Sequence, residues 1–200
     1  MNKVKLSIAV IGALIMAIGV GSLLSRRWLD KKDVKSMTYQ MVVDNKVGLV
    51  VRRDAALNSV PNSADDEKAG QLWEFTQPLQ AQQEFVVSAS YEQGASLKKL
   101  TSVTKQSLRD AVMDNVNRQL PKQYPEYHQI SQQDTTINGI QATRVVFEYT
   151  STQIKVKQQL LLLFKNGDTV AYMKAQARAE DYDSLSQHYF EPIFSSAKFQ

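Results

Sequence analysis

Leu6 to Leu24 is a run of nineteen residues without a charge, and no other stretch of the chain limits its fate so tightly. As a helix rising about 1.5 Å per residue it would reach roughly 28 Å, close to the ~30 Å hydrocarbon core of a bilayer. Lys3 and Lys5 precede it, and Arg26, Arg27, Lys31 and Lys32 come after it. Trp28 then falls where an interfacial aromatic sits, with the basic residues among the head groups. A cleaved signal peptide is the alternative, because Gly19 and Gly21 are small residues suitably spaced before Ser22. The run is longer than the usual apolar region of such peptides, and Leu23 and Leu24 continue past the candidate cleavage site. The expectation is a retained transmembrane helix over residues 1–24, a charged tether over 25–36 and a single folded domain over 37–200. Arg26, Arg27, Trp28, Lys31 and Lys32 are the expected contacts with the lipid bilayer, each basic residue contributing about 1 kcal/mol near an anionic surface.

Orientation is read from two opposed signals. More cations lie after the run than before it, which by the positive-inside rule keeps the C-terminal part in the cytoplasm. A short basic N-terminal tail instead stays inside and lets the C-terminal part be exported. The reading adopted is a single-pass protein of the cell membrane with an extracytoplasmic C-terminal domain.

Charge excludes one large class of partners. The computed pI is about 9.2, yet residues 1–35 hold seven Lys/Arg and two Asp, a net of +5, whereas residues 36–200 hold seventeen Lys/Arg and eighteen Asp/Glu, a net of −1. A nucleic-acid-binding domain concentrates positive charge on itself, so no nucleic-acid partner is expected. The absence of cysteine removes disulfides, thiol nucleophiles and thiolate metal sites together.

Beyond the tether, Met37, Tyr39, Met41 and Val43 alternate with Thr38, Gln40 and Val42, the pattern of a half-buried strand. Asp44-Asn45-Lys46 is turn chemistry, and Val47–Val51 makes the return strand. Residues 54–70 are poor in large apolar side chains, contain Pro61 and Asp65-Asp66-Glu67, and read as a loop. Leu72–Phe75 and Glu84–Tyr91 read as two further strands. Leu97, Leu100, Thr104, Leu108, Val112, Val116 and Leu120 recur at helical spacing, with Ser96 as N-cap and Pro121 as terminator. Thr143, Val145, Phe147 and Tyr149 share one face of a strand, and the solidly apolar Leu160–Phe164 implies a central strand covered on both sides. Asn166-Gly167 is a hairpin turn leading into a partner strand. Tyr182, Leu185, Tyr189 and Ile193 mark a closing helix that Pro192 should kink or end. The order predicts an α+β fold, an α/β/α sandwich with a twisted, mainly antiparallel sheet.

Thr136-Ile137-Asn138-Gly139-Ile140-Gln141-Ala142, the strand Arg144–Tyr149, Gln158–Phe164, Asn166-Gly167 and the stretch from Tyr182 to Phe199 together resemble the PsbP/Mog1-like superfamily. The Pro-x-x-Trp opening of that family is not found. The resemblance implies a sandwich that works by binding; members serve as photosystem accessory proteins, partners of small GTPases and anchored proteins of unknown role. It implies no catalytic residues and no cofactor.

Chemistry-bearing residues are sparse. His188 and Glu191 are three apart on the closing helix, too few donors for a metal site. Asp65-Asp66-Glu67 lacks the spacing and glycine of an EF-hand. His128 and His188 lie on different elements, and there is no G-x-S-x-G, H-E-x-x-H or P-loop. Arg52-Arg53 and Lys98-Lys99 read as solvated charge, with a weak contact to an acidic partner or a lipid head group as the alternative. The expected function is therefore a non-catalytic binding or scaffold domain with a protein partner. A secreted or anchored enzyme, or a ligand carrier, is the alternative; a deep pocket joining His128 or His188 to carboxylates would favour the enzyme.

Overall fold

The computed structural model describes residues 38–78, 83–104, 106–165 and 167–200, and of Ser96 and Val103 the backbone alone. The expected membrane helix, the tether, its five membrane-contact residues and Asn166 lie outside the described residues. Among the described residues, no helix is long and apolar enough to cross a membrane.

Seven strands form the main sheet. They are β3 (Asn58–Val60), β4 (Gln71–Thr76), β5 (Phe85–Gln93), β6 (His128–Ile137), β7 (Ile140–Ser151), β8 (Ile154–Lys165) and β9 (Thr169–Arg178). Their order is β3-β4-β5-β9-β8-β7-β6, with every neighbouring pair antiparallel. A second, three-stranded sheet has the order β1-β2-β10, from β1 (Tyr39–Val43), β2 (Leu49–Asp54) and β10 (Lys198–Phe199), again antiparallel. The fold class is α+β with antiparallel sheets. The N-terminal hairpin does not join the main sheet; it pairs with the far end of the chain.

β8 explains why the core has two halves. Side chains alternate across a strand, so Leu161 and Leu163 enter one cluster and Leu160 and Leu162 the other. On one face they meet Leu97, Val112, Val116 and Leu120 of α2 (Ala95–Thr104) and α3 (Leu108–Gln123). On the other they meet Leu185, Phe190, Ile193 and Phe194 of the closing helical segment, together with Leu49 and Val51 of the small sheet. That segment comprises α4 (Tyr182–Leu185), a π turn over Ser186–Phe190 and α5 (Glu191–Ser195). Helices therefore cover both faces, and the expected central strand is found.

Three expectations are corrected. Residues 54–70 are not a mere loop: they contain β3 and α1 (Ala64–Lys68). Ser63 accepts from the Asp66 backbone N–H while Asp66 accepts from the Ser63 N–H, a reciprocal cap that holds five residues in a helix with no buried side chain. Gly70 then closes the turn at φ +82°, where a Cβ would stand 2.6 Å from the Tyr91 carbonyl oxygen. The single long helix is two. Thr101 and Thr104 hydroxyls donate back to carbonyls three and four residues earlier, and Ser107 caps a new start by accepting from Asp110 N–H. Pro121 does not end α3, which runs to Gln123; only one intrahelical N–H is lost so near the terminus. Pro192 does not end the closing segment: the backbone stays helical from Tyr182 to Ser195, and the irregularity falls in the π turn over Ser186–Phe190 just before it, the kinked outcome and not the terminated one.

Candidate functional site

The small sheet and the cleft beneath its turn gather the unusual surface of the molecule. Asp44 Oδ1 accepts from the backbone N–H of Lys46 (2.8 Å) and Val47 (3.2 Å), fixing the β1–β2 turn that the sequence predicted. Register then sorts the side chains. Gln40 and Val42 share the core-side face with Arg53 and Val51, Val42 half-buried and Gln40 still exposed, so Tyr39, Met41 and Val43 face outward opposite Asp54, Arg52 and Val50. They are 39%, 51% and 45% exposed. The alternation that identified this strand is present, but its apolar side is the outer one. Inward room is taken by Arg53, which bonds the Leu57 carbonyl and Gln40 Oε1 (3.1 Å) and lies over the Phe75 ring.

Arg53 is thus no solvated charge: it is 9% exposed, and burial lowers its pKa from the ordinary guanidinium value. Arg52 is exposed, with its guanidinium 4.4 Å above the Tyr39 ring. Lys198 of β10 pairs in register with Val50, on the same outer face. Val50 lies between Val43 and Lys198 and is itself buried.

At the turn end, a cleft of about 320 Å³ is lined chiefly by Asn45, Lys46, Gln93, Lys165, Asp168 and Gln200. Lys165 donates to the Val47 carbonyl (2.8 Å) and the Gln200 carbonyl (3.4 Å), stitching the hairpin to the chain end. Asp168 faces Lys98 at 3.5 Å. Polar groups dominate this lining, and Lys165 and Asp168 are already engaged by the contacts just given.

The residues singled out for chemistry do not converge. His128 is exposed on the edge strand β6, and His188 is exposed on the closing segment, edge-on to the Tyr189 ring. Glu191 is held in a two-pronged ion pair by Arg144 (2.8 and 3.0 Å), which pins the closing segment to β7. Asp65, Asp66 and Glu67 form the first turn of α1, and the Ser63 hydrogen bonds hold the Asp66 carboxyl below its usual pKa. Among the described residues, no three His, Asp or Glu side chains gather as metal ligands.

One titratable pair has no local signal in the sequence. Glu74 and Lys174 flank Ser88 across β4, β5 and β9 on one face of the main sheet. Burial lowers the Lys174 amine to about 8, opposed by the Glu74 charge, and burial raises the Glu74 carboxyl. Only the cross-strand register joins them, and register is invisible until strand order is known.

Solved structures place this architecture. Cyanobacterial PsbP (CyanoP) from Synechocystis sp. PCC 6803 is 15% identical at a TM-score of 0.58, covering 86% of this chain and 98% of its own. LpqN, involved in cell envelope biogenesis of Mycobacterium tuberculosis, is 12% identical at 0.51, covering 83% and 92%. No protein-family model matches the chain, and no curated protein matches it by sequence. The likeness is one of fold: the chain has a PsbP-like fold.

Proposed function

We propose that the chain is a membrane-anchored, extracytoplasmic binding or scaffold domain without catalytic chemistry, which holds a protein partner close to the bilayer. The observation that supports it most is the placement of exposed apolar surface. Five large apolar side chains are exposed among the described residues, and three of them (Tyr39, Met41, Val43) lie on β1, the first strand after the basic tether. Exposed apolar patches mark protein or membrane contact surfaces, and one on the strand next to the tether supports a domain held close to the bilayer; the row does not itself say where a protein partner binds. The nineteen-residue uncharged run and the basic cluster Arg26, Arg27, Lys31 and Lys32 support the anchor. The described envelope role of LpqN, carried over from fold likeness alone, favours an exported domain.

Fractionation of cells expressing the C-terminally tagged full chain tests this reading, combined with intact mass and protease treatment of whole cells. Full-length mass in the membrane fraction, with the tag digested from outside, is the expected result. A protected tag would refute export. A soluble product beginning near Ser22 would refute the anchor.

A further inference from the structure

We propose that the outer face of the small sheet rests on an anionic lipid surface, so that the domain lies against the bilayer on β1 instead of standing free of it. The inference rests on the anchored reading and adds to it the face that touches lipid.

Reach comes first. Thirteen residues separate Leu24 from Thr38, and even fully extended they span at most about 45 Å. β1 therefore begins within a small fraction of a cell's dimensions from the bilayer. A contact too weak to form between free molecules becomes intramolecular under that constraint.

The chemistry of the face fits an interface between water and hydrocarbon. Tyr39, Met41 and Val43 form a continuous apolar row, and Tyr39 carries the polar tip that favours the head-group region. Arg52 stands over the Tyr39 ring at one end of the row, and Lys198 sits in register with Val50 near the other. Asp54 shares the face at the Tyr39 end, but one of its oxygens accepts from the Ala56 N–H (2.9 Å). Lys46 is exposed at the turn just beyond Val43. Cations flanking an apolar row match anionic head groups above an acyl boundary.

The other sheet margins are built differently. β6, at one margin of the main sheet, is almost wholly polar on its exposed positions and carries a bulge between Gln129 and Ser131. β3, at the opposite margin, has three residues and runs straight toward Pro61. Both are defended in the ways that discourage contact. β1 carries no charge, proline or bulge. Its apolar row, with Arg52 at one end and Lys198 near the other, is the surface that the tether can bring to the bilayer.

The chain has no cysteine, so single thiols can be introduced without background. The full chain is reconstituted in nanodiscs of anionic lipid doped with a head-group nitroxide, carrying a fluorophore at Met41→Cys, at Val43→Cys, or at Gln132→Cys on the exposed surface of β6. The expected result is nitroxide quenching several-fold greater at 41 and 43 than at 132, falling to the level of 132 in the Arg52→Glu/Lys198→Glu chain. Equal quenching at all three positions in discs that retain the chain would overturn the docking and leave the anchor standing. Labels at 41 and 43 shielded from aqueous iodide yet not quenched by lipid would overturn it in favour of a protein contact. Loss of the chain from the discs would overturn both readings.

Discussion

β8 and β1 are both apolar strands, and they meet opposite fates. Leu160–Leu163 of β8 have neighbouring strands on either side and helices over either face. β1 has β2 along one edge, and its apolar row faces away from the core. A run of consecutive leucines can only be buried twice over. An alternating strand gives one apolar face but does not say what covers it. The difference separates what the domain needs in order to fold from what it offers to its surroundings.

The largest test of that difference is truncation at matched positions. Leu161→Ala should cost about 2–5 kcal/mol of unfolding free energy, because the site is sealed by strands and helices and cannot collapse. Met41→Ser should change stability by less than about 0.5 kcal/mol, as expected where no core contact is lost. Denaturant titration of the two full-length chains reads both. Equal losses would mean that β1 is core, and the contrast would fall.

A smaller effect probes the main sheet through pH. Folding lowers the Lys174 pKa to about 8 from 10.5, so between these values the unfolded chain binds more protons. Stability should then rise with pH by about 1–3 kcal/mol from pH 8 to about 10. Above about 10 the trend should reverse: burial raises the pKa of Tyr124, Tyr149, Tyr172 and Tyr182 in the folded state, and the unfolded chain loses those protons first. Lys174→Met should flatten the rise and keep the fall. A rise that survives the substitution would assign it to another group.

The next effect concerns the helical layer. Ser107→Ala removes the cap of α3 and should cost about 1 kcal/mol, measured by thermal unfolding. A loss below a few tenths would mean that α2 and α3 behave as one helix, as the apolar stripe alone implied.

Legibility in the sequence tracked the strength of local signals. The leucine run of β8, the face shared by Thr143, Val145, Phe147 and Tyr149, and the Asp44 turn are set by side-chain periodicity or by bonds within three residues. The break between α2 and α3 is written in Thr101, Thr104 and Ser107, but helical spacing that carries on through Thr104 from Leu97 to Leu120 masks it. α1 was legible from Ser63 and Asp66, whose three-residue spacing is that of a reciprocal cap. β6 was not, because polar Gln129 and Ser131–Thr136 form a strand only by borrowing the edge of β7. Of the candidate surface, the turn was readable while the outward direction of Tyr39, Met41 and Val43 was not. Their direction depends on pairing with β2 and on the inward claim of Arg53, which lies well outside any local window.

If β1 owes its apolar face to the bilayer and not to the domain, lipid should protect that strand and spare the others. Amide hydrogen exchange on the full chain, in detergent and in anionic nanodiscs, tests this most directly, with β6 and β8 as internal references. Lipid should slow exchange in β1 by several-fold, leave exposed β6 unchanged, and leave β8 slow in both settings. A β1 that responds no more than β6 would contradict the claim.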